Sequence, residues 1–286
     1  MYRSKNRDYV LDLFSATATI VSSSLVILIV FYLMRESFVF LKDNSVLHFL
    51  SDPSWAPTES SYNILPMVVG TLLASLGCVL IAAPLGLLAA VYIYFYCPIF
   101  LKGFLKKVFE LSLAIPSVVY GLWGLTVIVP VINQYKAPGT SLFAGIAILA
   151  MMVFPILVLT LLDEFKSLSD SFKDSADSLN LSRFTFIFRI ILPQAKRLVL
   201  ITTTLQLGRA LGETMAILMV CGNVIQYPSS LFAPIRTLTS NIALEMAYAS
   251  STHKAALFST GLLLMIILCL LFSAVSFGKR EHAIEN

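Results

Sequence analysis

The chain has 286 residues, of which 58% are hydrophobic and only 13% charged, with a formal net charge of +4 and a mean hydropathy of +0.86. A soluble domain carries about 25% charged and about 45–50% apolar residues, so this composition excludes a cytosolic globular enzyme, a disordered chain and a nucleic-acid binder. It is the composition of a polytopic membrane protein.

A spanning helix needs about 20 mainly apolar residues. Runs of that kind occupy 14–34, 66–95, 109–130, 142–162, 198–222 and 257–277, which predicts an all-α fold of six transmembrane helices. The first run follows Arg3, Lys5 and Arg7, like the basic start of a secretory signal. Its apolar stretch exceeds the roughly 7–15 residues of a cleaved signal, so it is expected to stay as an uncleaved span. Tyr92, Tyr94 and Tyr96 close the second run just before Lys102, Lys106 and Lys107, an aromatic and basic interfacial belt. Pro84, Pro116 and Pro155 fall inside the second to fourth runs. Each removes a backbone donor and should kink its helix, which fits packing as well as a translocation pathway flanked by interrupted helices. Gly121 and Gly124 permit close helix approach.

The loop 163–197 follows, DEFKSLSDSFKDSADSLNLSRFTFIFRIILPQAKR. Residues 170–180 read as a short amphipathic helix with Phe172, Ala176 and Leu179 on one stripe. Asn180 suits a turn, because Asn tolerates the left-handed conformation of a helix stop. Phe184, Phe186, Phe188 and Ile190 come next, and Leu192-Pro193 closes the segment. Such a helix–turn–helix is either an exposed docking element or a plain interfacial loop lying on the headgroups.

The fifth run, LQLGRALGETMAILMVCGN, places Arg209 deep in the membrane, with Glu213 four positions later on the same face of an unbroken helix. Each charge at the bilayer centre costs about 2.5–3.5 kcal/mol on insertion scales. One account is a self-contained Arg–Glu pair. The other is an anion pathway: a guanidinium offers a rigid fork of donors to an oxyanion and stays protonated. A carboxylate beside such a site suits an anion that still carries a proton, as inorganic phosphate does near neutral pH and sulfate does not. Beyond this run, 237–249 reads as an amphipathic helix, with packing its expected role.

Sidedness follows from the basic residues. The N-terminus, 96–108, 163–197 and the C-terminal tail hold 14 Lys and Arg, whereas 35–65, 131–141 and 223–256 hold 5. The positive-inside bias puts both termini and the 163–197 loop in the cytoplasm. The expected division is therefore 1–65 (cytoplasmic segment, first span, extracytoplasmic loop), 66–277 (a core of five spans) and 278–286 (cytoplasmic tail). Cys78, Cys97, Cys221 and Cys269 form no CxxC pair, and the three histidines show no metal-ligand spacing. No GxxxxGK[ST] loop occurs, so a nucleotide would have to be hydrolysed elsewhere.

Loop 163–197 resembles the coupling loop of ABC importer permeases, EAA, three residues, Gly, nine residues, Ile-x-Leu-Pro. Asp174-Ser175-Ala176 stands for EAA, Asn180 for the glycine, and Ile190, Leu192 and Pro193 fall at the expected spacing. WAPTESSYNILPMVVGTLLAS, IPSVVYGLWGLTVIVP, GRALGETMAILMVCGN and PIRTLTSNIALEMA, in that order over 53–275, resemble the PstC-type permeases of phosphate-specific (Pst) ABC importers. The resemblance implies a type I importer permease fold, pairing with a PstA-like sister permease, and a cytoplasmic ABC ATPase dimer docked through the coupling loop. It also implies an extracytoplasmic phosphate-binding protein, and phosphate passage at Arg209 and Glu213. ATP and Mg would sit on the partner ATPase and no cofactor on this chain. The residues by themselves also admit a proton-coupled secondary anion carrier with Glu213 as relay, and a permease for another oxyanion or phosphonate. A membrane enzyme acting on a phosphorylated lipid lacks the metal ligands or the interfacial His it would need.

Overall fold

In lipid, backbone polar groups must find partners inside the chain, which leaves helices as the simplest solution. A computed structural model describes the backbone of residues 5–43 and 45–284 and the side chains of 11–42, 45–47 and 49–274. Arg3, the side chains of Lys5, Arg7, Lys279 and Arg280, and the end of the 278–286 tail lie outside the described residues. Among the described residues the chain is helical with no strand, only two isolated bridges. Five helices are long and apolar enough to cross a membrane: Leu11–Lys42, Leu65–Tyr96, Ser117–Tyr135, Leu142–Ser178 and Ser251–Ala274. The expected sixth, 198–222, is not one of them.

Two units can be described, Met1–Asn63 with Glu245–Leu263, and Ile64–Leu244 with Leu264–Asn286. The first contains α1 (Lys5–Asp43) and α2 (Val46–Ser51). Leu25, Ile27, Phe31 and Phe38 are exposed on α1, as expected of a helix that presents most of its apolar stretch to hydrocarbon, while Ser37 and Phe40 near its end are buried. The helix runs past the expected end at 34, taking in Arg35 and Lys42. Phe40, Trp55 and Tyr62 are buried, with edge-on ring contacts between Phe40 and Tyr62 (4.9 Å) and between Trp55 and Tyr62 (5.7 Å). Trp55 Nε1 donates to Glu245 Oε2 at 2.8 Å, and His253 Nε2 lies 2.9 Å from the same oxygen. All three side chains are buried. Replacing Glu245 by alanine strips the indole of its acceptor, an expected loss of about 1–3 kcal/mol. A lower thermal midpoint of the detergent-solubilised protein would register it; an unchanged midpoint would contradict this pairing.

The second unit is built around α7 (Leu142–Ser178), which packs along α3 (Leu65–Val91) and α9 (Leu192–Gly212). Ala82, Ile148, Val153, Leu157 and Ile217 form part of one core. Val158, Phe165, Ile187 and Ile191 form part of a second, toward the far end of α7. Pro84 and Pro155 sit inside continuous helices. Pro116 instead ends a break after α4 (Ile99–Leu113) and caps the start of α5 (Ser117–Trp123). The expected span 109–130 is therefore corrected to Ser117–Tyr135, because the residue before a proline is driven out of the helical region.

Three widened turns with i→i−5 bonding, Tyr92–Tyr96, Gly124–Ile128 and Phe186–Ile191, each precede a proline by two residues: Pro98, Pro130 and Pro193. A proline cannot donate and its ring crowds the carbonyl four residues back, so a wider preceding turn relieves the clash. The second of these turns joins α5 to α6 (Val129–Tyr135), and the third joins the short α8 (Arg183–Thr185) to α9. The remaining helices are α10 (Met215–Val220), α11 (Leu238–Glu245) and α12 (Ser251–Ile284).

Candidate functional site

The fifth hydrophobic run is not one helix. α9 stops at Gly212 and α10 starts at Met215, with Glu213 extended between them (φ −68, ψ 129). The local sequence favours this stop: Gly212 costs helix propensity, and polar Glu and Thr can serve the freed backbone groups. Glu213 Oε1 accepts from Ala216 N at 3.4 Å, and Thr214 Oγ1 donates to Gly212 O at 3.3 Å. Glu213 O accepts from Thr239 Oγ1 at 2.8 Å, which ties the break to α11.

This geometry corrects the shared helix face expected of Arg209 and Glu213. Residues i and i+4 share a face only while the helical dihedrals continue, and the extended Glu213 leaves that path. Among the described residues no ion pair joins Arg209 to Glu213. Arg209 lies in the last turn of α9, where the unpaired carbonyls favour a cation, and its side chain is exposed while Glu213 is half-buried. Leu205, Arg209 and Gly212 form an exposed stripe at helical spacing. An adjoining face of the helix is fixed by packing: a Cβ on Gly208 would lie 2.5 Å from the Phe272 ring of α12.

α5 backs the break from another direction. A Cβ on Gly121 would come within 2.9 Å of Ala216 Cα, so only glycine allows α5 and α10 this approach. The segments IPSVVYG and GRALGETMA, remote in sequence, are thus packed together. Gln206, 8% exposed, has an unpartnered Oε1 one turn before Arg209. Neither it nor the Thr239 tie was singled out by the sequence; a 26-residue separation leaves no periodic signal.

Segment 163–197 takes a different shape from the expected short helix. Residues 170–178 are the end of the 37-residue α7. Asn180 then adopts φ 47, the left-handed turn expected of it, and Leu181 N donates to Ala176 O at 3.1 Å. Ser182 caps α8 by accepting from Thr185 N. Asp174, Ser175, Asn180 and Pro193 are exposed, and Ile190 and Leu192 half-buried. Ala176 is 6% exposed, so it packs inside the segment instead of facing outward. The outward apolar groups are Leu179 (71% exposed) and Phe184 (64%), with the Phe184 and Phe188 rings stacked at 4.5 Å.

With this geometry in view, the similarities to known proteins can be placed on it. Residues 82–277 match the family described as the binding-protein-dependent transport system inner membrane component. The probable ABC transporter permease protein YqgH of Bacillus subtilis is 37% identical over 229 residues, 78% of this chain and 74% of its own. The phosphate transport system permease protein PstC of Pasteurella multocida is 32% identical over 246 residues, covering 79% of this chain and 77% of that one. Among solved structures, the methionine ABC transporter MetNI in an inward-facing conformation superposes with a TM-score of 0.56 at 14% identity, over 76% of this chain and 93% of the other. That likeness concerns the fold alone. The matched region, 82–277, contains segment 163–197, the Arg209 stripe and the helix break.

Proposed function

The chain belongs to the family of binding-protein-dependent transport system inner membrane components, and on that premise we propose that it carries inorganic phosphate across the membrane as one permease of an ATP-driven importer. The relatives named as phosphate permeases support the choice of cargo. The single observation that carries the mechanism is Arg209, charged and exposed in the last turn of a broken helix, with no ion pair among the described residues.

In this reading the Leu205–Arg209–Gly212 stripe faces a route that a PstA-like sister permease completes. Arg209 presents its donor fork to phosphate as it passes. Glu213 takes a hydrogen bond from the protonated oxygen of the anion and repels an anion that has none. The helix break lets the two ends of the fifth run move separately, as interrupted helices do around transport sites. Binding stays weak enough for release.

Asp174, Ser175, Ala176, Asn180, Ile190, Leu192 and Pro193 belong to the segment that meets a cytoplasmic ATPase dimer, which holds the ATP and Mg. An extracytoplasmic phosphate-binding protein delivers the cargo. Both termini lie in the cytoplasm, and the division 1–65, 66–277 and 278–286 follows the same sidedness. A proton-coupled carrier, admissible from Glu213 alone, is displaced by the family to which the chain belongs.

Selectivity tests the cargo. In proteoliposomes holding the whole importer, Glu213→Gln should erode the preference for phosphate over sulfate by roughly 10–100-fold, the worth of one charge-assisted hydrogen bond of about 1.5–3 kcal/mol. Unchanged discrimination would remove Glu213 from the anion's path. Equal transport of both anions by the unaltered protein would reassign the cargo to another oxyanion.

A further inference from the structure

A cavity of about 460 Å³ lies between the widened turn Tyr92–Tyr96, the start of α4, the end of α7 and the turn that follows it, apart from the Arg209 stripe. Its size falls within the range of small-ligand sites. Lys102, Lys173 and Arg183 line it, against a single acid, Asp177. None of these three cations is in an ion pair among the described residues, whereas nearby Lys106 pairs with Asp163 at 3.2 Å. Lys102 Nζ stands 3.8 Å over the Tyr94 ring and donates to Tyr94 O at 3.5 Å, which fixes its ammonium at the cavity wall.

A second, independent observation points to a ligand. Ser169, only 8% exposed, lines the cavity, and its Oγ has no hydrogen-bond partner. A buried hydroxyl left unpaired is costly; its Oγ is shielded from solvent in this arrangement, and a turn of the side chain toward the cavity would offer it to an oxygen-rich guest. The apolar part of the lining comes from Phe95, Leu181 and Phe186. Burial above all, with smaller contributions from Lys106 and Lys166 and against an opposing one from Cys97, holds the Lys102 ammonium below its ordinary pKa, a bias that an anion beside it would reverse.

We propose that this cavity binds a phosphate-bearing anion, free phosphate or the headgroup of an anionic phospholipid, with Lys102, Lys173 and Arg183 as its counter-charges and Ser169 donating from the floor. The occupant bridges α4 to the end of α7 at Ala176 and to Leu181 beyond the turn, so it braces the coupling segment from behind. The inference does not depend on phosphate being the cargo.

The purified importer without its binding protein supplies the test, with Lys102→Gln/Arg183→Gln as the main variant and Ser169→Ala as a milder one that removes only the donor. Radiolabelled inorganic phosphate is measured by equilibrium dialysis. In parallel, retained phosphatidylglycerol and phosphatidylcholine are counted by native mass spectrometry after release from nanodiscs of both lipids. A phosphate site weakened about tenfold by the double variant, severalfold by Ser169→Ala and untouched by Arg209→Ala identifies the free anion. Preferential retention of phosphatidylglycerol, lost in the same two variants with no change in dialysis, identifies the headgroup. If neither phosphate binding nor lipid retention responds to either variant, the proposal is wrong, whatever becomes of the pathway at Arg209.

Discussion

Arg209→Ala should cut ATP-driven phosphate uptake by roughly a hundredfold or more, the scale of losing two charge-assisted hydrogen bonds of about 1.5–3 kcal/mol each. The importer should still assemble and its ATPase should still turn over, because Arg209 is exposed and has no bonding partner among the described residues. An exposed side chain without partners contributes little to folding, so the loss falls on transport. Arg209→Lys should rescue only a small part of it. An ammonium keeps the charge but loses the planar fork that grips two oxygens at once. Full activity in the lysine variant would mean that charge alone matters at this position.

The second large effect concerns the coupling segment. Leu179→Asp combined with Phe184→Asp should strip the ATPase from the purified complex and lower uptake by more than tenfold. Apolar anchors of this kind carry a disproportionate share of interface energy, often about 2 kcal/mol or more each. Both side chains are largely exposed, so the permease itself should fold normally. Ala176→Asp should behave otherwise. Its methyl group packs inside the segment, and a buried, unpaired carboxylate destabilises the fold, so the yield of folded permease should drop along with coupling. Retention of the ATPase by the Leu179/Phe184 variant would place the docking surface elsewhere on the segment.

These two sites differ in how far the sequence revealed them. The turn at Asn180 was legible because a helix stop that needs positive φ selects few residue types, and the chain places one there. The spans of α1, α3, α7 and α12 were legible because long apolar runs carry their own length signal, although α1 extends further than its hydropathy marks. The break at Glu213 was not legible. A hydropathy window slides over Gly212 and Thr214 without registering that backbone dihedrals change there. The same window overrated the fifth run, where Thr202, Thr203, Thr204, Gln206 and Arg209 dilute the apolar character of α9.

Contacts between distant segments were the other blind spot. Thr239 bonding to Glu213 O and Gly121 meeting Ala216 depend on tertiary packing, which periodicity along one element cannot express. The resemblance had brought these segments together in function without saying that they touch. The burial of Ala176 has a similar origin: the stripe of Phe172, Ala176 and Leu179 divides at the end of α7, with Ala176 packed inward and Leu179, just past the helix, facing outward beside Phe184.

The central claim is that the Leu205–Arg209–Gly212 stripe lies in the aqueous route of phosphate. Gly212→Cys tests it with Arg209 left in place, since a Cβ at Gly212 meets nothing within 4 Å. Cys97 and Cys269, the natural cysteines that are not buried, would first be replaced by serine. A charged, membrane-impermeant thiol reagent is then applied to the assembled importer, and the labelling rate of Gly212→Cys is measured with and without millimolar phosphate. The account predicts rapid labelling that phosphate slows severalfold. A thiol there that no aqueous reagent reaches, or whose labelling phosphate leaves unchanged, contradicts it.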